Sequence, residues 1–116
     1  MKLKAPEHIL VAPGTGMRLT RGMNEAGKPQ WTFLTNHFHV LVCLSREPTS
    51  RIRDLADKVG ITQRAVQRIL AELVEDKAVA IRKEGRRNIY TINPRKRLRH
   101  PLESQHTIGE ILSILS

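Results

Sequence analysis

The sequence predicts a mainly α fold carrying one small β-hairpin. Apolar residues recur at helical spacing in four separate stretches between residues 35 and 115. Two short strand-like runs, 78–83 and 88–93, flank Glu84-Gly85-Arg86-Arg87. The formal charge of +9 is also unevenly spread: residues 78–101 hold eight Lys/Arg and one acid, a net of +7. Function is therefore expected near the hairpin and the segment that follows it.

At 116 residues the chain has room for one domain and an arm, not for a two-lobed enzyme. A hydrophobic content of 40% supports a packed core. The single cysteine excludes an intrachain disulfide and a Cys-based zinc site, as expected in a reducing compartment. No run approaches ~18 apolar residues, so no transmembrane helix is expected and the chain reads as cytoplasmic. The positive charge points to nucleic acid first and acidic membranes second. The segment 102–116 has an apolar stripe but no Lys or Arg, which argues against a membrane-surface helix.

Residues 1–30 read as an irregular arm, with a short strand at His8–Val11. Pro6, Pro13-Gly14, Gly16, Gly22, Gly27 and Pro29 interrupt every periodic run. Met17 and Met23 leave a later start open. Residues 35–46 predict a helix, with Thr35 as N-cap and Pro48 beyond its end. Its apolar residues Leu34, Phe38, Val40, Leu41, Val42 and Leu44 span an arc of roughly 200°, so it must be covered on two sides. Residues 51–59 predict a short helix that turns Ile52, Leu55, Ala56 and Val59 inward, closed by Gly60. Thr62 caps a longer helix through about Lys77. Val66, Ile69, Leu70, Leu73 and the Lys77 stem form its apolar wedge, and Gln63, Arg64, Gln67, Arg68 and Ala71 the opposite one. After the hairpin, Pro94 stops the second strand, Arg95–His100 is a basic connector, and 102–115 predicts a last helix with Ile108, Ile111, Leu112 and Leu115 in one stripe.

The tight turn Gly60-Ile61-Thr62 folds two helices together and leaves Gln63–Arg68 exposed at a helix N-terminus, where the dipole and free N–H groups favour phosphate. Gln pairs with adenine and Arg with guanine in a major groove. The long helix carries Arg64 and Arg68 early and Glu72, Glu75 and Asp76 late, against the macrodipole preference. Its cations sit at the end that would face DNA. Residues 52–71, with Ala56, Gly60, Val66 and Ile69 at the small, turn and core positions, resemble a helix-turn-helix. With the hairpin added, residues 31–93 resemble the winged helix-turn-helix of MarR-like transcriptional regulators.

The resemblance implies a sequence-specific duplex-DNA-binding regulator. It implies base reading by Gln63, Arg64, Gln67 and Arg68 in the major groove and insertion of Arg86 or Arg87 into the minor groove. Thr62, Lys83 and Asn88 complete the expected DNA-binding set. The chain departs from the family in lacking a long helix at each end, so the resemblance leaves the dimer elements and any small-molecule effector open. The expected organisation is an arm over 1–30, a DNA-binding domain over 31–100, and a C-terminal cover or dimerisation helix over 101–116.

Other groups receive plainer readings. Lys83, Arg95, Arg97 and Arg99 fit either phosphate contacts or a solvated connector. Tyr90 is expected to pack rather than stack on a base. His39 and Cys43 lie four apart but have no third ligand, so a buried or interfacial thiol is expected and no metal. His37, His100 and His106 look isolated. Without a P-loop, a dinucleotide fingerprint or a triad order, neither enzyme activity nor a cofactor is expected. A homodimer is expected through helices 35–46 and 102–115, with Trp31 and Phe33 at the seam. Two alternatives stay open: a winged module for protein assembly, and an RNA-binding one, against which the expected lack of exposed aromatics counts.

Overall fold

The computed structural model describes residues 30–115. The arm over 1–30 and its strand at His8–Val11 thus fall outside the described residues, Gln30 excepted. Four helices and one hairpin follow in the order α1 (Asn36–Arg46), α2 (Ile52–Val59), α3 (Gln63–Glu75), β1 (Val79–Glu84), β2 (Arg87–Ile92) and α4 (Ile108–Leu115). This is a winged helix-turn-helix.

α1 begins where Thr35 accepts a hydrogen bond from the Phe38 N–H at 3.4 Å. Its wide apolar arc is explained by its place: it packs against α2, α3, β2 and α4 at once. Val40, Leu41 and Leu44 are almost wholly buried among Leu55, Val66, Ile69 and Tyr90. One cover is α4 of the same chain, so the seam expected between 35–46 and 102–115 forms within one chain. α2 closes at Gly60, whose φ of 86° lies in the left-handed region. The N–H groups of Gly60 and Ile61 both donate to the Ala56 carbonyl.

Two boundaries differ from expectation. α3 stops at Glu75 rather than near Lys77. Lys77 adopts φ 67°, its N–H donates to the Val74 carbonyl, and that of Ala78 reaches back to Leu73. That is the Schellman ending without its usual glycine, sealed by buried Leu73 and Ala78. The Lys77 stem is exposed and plays no part in the apolar wedge.

α4 starts at Ile108, not 102. The connector doubles back instead: Arg97 pairs with Thr107, and the N–H groups of Leu98 and Ile108 donate to His106 and Lys96 carbonyls. Residues 101–105 are spent on that reversal. Thr107 and Glu110 then start α4 as a reciprocal pair. The Glu110 N–H donates to Thr107 Oγ1 at 3.2 Å, and the Thr107 N–H donates to Glu110 Oε1 at 2.8 Å.

The hairpin is tighter than the four-residue turn expected. Glu84 pairs with Arg87, leaving Gly85-Arg86 as a two-residue loop. Only Gly85 has positive φ, at 65°, which matches a type II′ turn. The Tyr90 N–H donates to the Pro48 carbonyl at 3.0 Å, fastening the wing to the α1–α2 loop.

Candidate nucleic-acid interface

α3 presents the candidate residues because its other face is committed. Val66, Ile69, Leu70 and Leu73 are buried, so Gln63, Arg64, Gln67 and Arg68 are left exposed together over the first two turns. Thr62 accepts from the Ala65 N–H at 3.0 Å, so its hydroxyl holds the helix end. Arg53 of α2 borders the same shallow depression as Thr62, Gln63 and Gly60. Sequence reading passed over it. The available signal was a cation in the first turn of a helix, where the dipole disfavours one.

The hairpin cations divide into three groups. Arg82 pairs with Glu84 on its own strand at 3.3 Å. Arg86 occupies the loop and Lys83 stands on β1, both exposed and neither in an ion pair among the described residues. Arg87 is also exposed but anchored: its Nη2 donates to the Thr49 carbonyl at 3.0 Å. Asn88 is half-buried opposite Lys83, with its Nδ2 at 3.5 Å from the Tyr90 hydroxyl. Tyr90 is buried as a packing residue.

The connector is less free than its charge suggests. Lys96 Nζ lies 3.5 Å and Arg99 Nε 4.0 Å from Asp76, at the end of α3. Arg97 Nη1 donates to the Ser104 carbonyl at 2.9 Å. The Arg95 side chain has no such partner among the described residues. The basic segment thus serves partly to bind α3 to the C-terminal reversal.

All three histidines read as isolated have partners; the Leu102 N–H donates to His100 Nδ1 at 3.0 Å. His37 Nε2 lies 2.6 Å from Glu72 Oε1, joining α1 to α3, and His106 Nδ1 lies 3.3 Å from Glu110. Cys43 is half-buried, and burial raises its thiol pKa against the lowering by Lys58 and Arg46. His39 bonds Asn36, and no group of three or more His, Cys, Asp or Glu among the described residues could hold a metal ion.

The expected lack of exposed aromatics does not hold. Trp31 and Phe33 are 78% and 91% exposed and meet edge to face, their ring centroids 4.8 Å apart. Only their position just before α1, ahead of its first buried turn, leaves them outside the core.

Residues 34–78 match the family model for winged helix-turn-helix DNA-binding domains. The match spans α1, α2, α3 and the approach to β1. It is to the winged helix-turn-helix class and does not single out MarR-like proteins within it. No curated protein matches the chain. No helix among the described residues is long and apolar enough to cross a membrane.

Proposed function

We propose that this chain is a sequence-specific duplex-DNA-binding transcriptional regulator. The observation that carries the reading is the exposed wedge of Gln63, Arg64, Gln67 and Arg68 at the capped N-terminus of α3, inside the segment that matches a DNA-binding family. In this reading α3 enters the major groove and those four side chains meet base edges. The Thr62 cap orients the helix end, and Arg53 adds a backbone contact beside it. Arg86 enters the minor groove, with Lys83 on the flanking phosphates.

Arg87 and Asn88 act differently in this proposal. Their side chains bond the α1–α2 loop and Tyr90, so they set the angle of the wing. The DNA-binding unit is residues 31–100, working as a cytoplasmic homodimer. It is MarR-like in its helix-turn-helix and wing. It departs from that pattern at its C-terminus, where α4 has eight residues.

Gel shifts with the full chain test the reading. Selection from random duplexes supplies the preferred site. Arg64→Ala or Gln67→Ala then relaxes preference at one base pair by about 1–3 kcal/mol, with little change on random duplex. Equal loss on both would remove base reading from these side chains. An RNA duplex that competes as well as DNA would transfer the site to RNA.

A further inference from the structure

Beyond the DNA-facing end of α3 lies a second surface. An open groove of about 870 Å³ runs between the start of α1, the end of α3 and the 97–106 reversal. Leu34, Phe38, Leu73 and Ile111 contribute to its apolar lining. Two large apolar side chains border it while remaining almost fully in solvent: Phe33, backed by Trp31, and Leu102, 80% exposed. Ordinary surfaces carry single exposed apolar residues, but not knobs of this size beside an apolar hole.

We propose that this groove, with Phe33 and Leu102 as its knobs, is the isologous interface between two copies of this chain. A two-fold contact needs one surface carrying both the knob and the hole, and this face carries both. Charge selects the same occupant. Two copies at +9 repel wherever their basic faces meet. Here four carboxylates (Glu72, Glu75, Asp76 and Glu103) stand among two guanidinium groups (Arg97 and Arg99). Glu72, Asp76, Arg97 and Arg99 already hold partners within one chain, but Glu75 and Glu103 are in no ion pair among the described residues, so a two-fold axis that brings them to the other copy's exposed arginines adds pairs one chain lacks. The groove takes in the last turn of α3, about 18 Å along the helix from Gln63, so pairing here leaves both wedges free for DNA.

The interface deepens the homodimer of the proposed function and replaces the expected pairing through α1, whose apolar face is covered within one chain. It is tested without DNA, so failure of DNA binding leaves it standing. Sedimentation equilibrium of the full chain gives twice 13.2 kDa at micromolar concentration. Phe33→Asp and Leu102→Asp each weaken self-association by about 30-fold or more, while Ile81→Asp, an exposed apolar position on the wing, leaves it unchanged. All three melt as the wild type does. In the unmodified protein, emission of Trp31, the single tryptophan, shifts to shorter wavelength as concentration rises through the transition. A species of 13.2 kDa at every concentration overturns the proposal. So does a dimer that Ile114→Asp dissociates and Leu102→Asp does not.

Discussion

At Gly109 a single hydrogen decides whether α4 docks. A Cβ built there would stand 2.9 Å from both the Cβ and the carbonyl oxygen of Pro94, and the Gly109 N–H donates to that carbonyl at 3.0 Å. The clash is with backbone, so no side-chain rotation relieves it. Gly109→Ala is expected to push α4 from its seat and lower stability by about 1–3 kcal/mol, against the small gain Ala brings to an unhindered helix. Thermal melting checks the sign; a more stable variant would show that the Pro94 loop yields freely. Gly109 lies inside a helical pattern, and the sequence contains nothing to mark a proline fifteen residues earlier as its neighbour. The same limit applies at Arg87, legible as a wing cation but not as the donor to a carbonyl 38 residues away.

At the scale of elements, local chemistry set most beginnings. Thr35 and Thr62 were readable as caps because their hydroxyls serve N–H groups three residues on. Thr107 and Glu110 form the same kind of signal, present in the sequence and overlooked behind a longer apolar pattern. That start is also pH-sensitive. The Thr107 N–H, and then His106, hold the Glu110 carboxyl below the usual carboxylate range. A group depressed on folding adds stability above its unfolded pKa, and that contribution is lost as pH falls through the folded value. Wild-type α4 should therefore loosen on acidification below the ordinary carboxylate range. Glu110→Gln should remove that component of the pH profile, and amide exchange over α4 checks it. An identical acid limb in both proteins would dismiss the cap as its source. The end of α3 was not readable in this way: Lys77 takes a left-handed conformation because Ala78 and Leu73 pack, not because its own type prefers it.

Across the whole molecule, charge has three uses that the total of +9 conceals. Some cations stand free on the α3 and wing surface, Lys96 fastens the connector to Asp76, and Arg97 and Arg99 both hold the connector and line the groove. Salt dependence of DNA binding separates the first use from the others. Each phosphate contact adds about 0.9 to the slope of log K against log salt. Arg86→Ala should reduce the slope by about that amount and Arg87→Ala by less, because the Thr49 carbonyl holds the Arg87 guanidinium along the wing. Equal reductions would give Arg87 a full phosphate contact of its own.

The order of elements, the exposed polar wedge on α3 and the wing were legible in the sequence, since each rests on periodicity, capping or turn chemistry acting within a few residues. The tertiary structure decided what covers α1, which wing arginine is anchored to the scaffold, where the connector reverses, and which apolar residues are left without cover. Those outcomes depend on contacts between segments far apart in the chain. A sequence pattern shows that a face is apolar or a side chain charged; only the packed chain shows whether its own remote segments have already satisfied it.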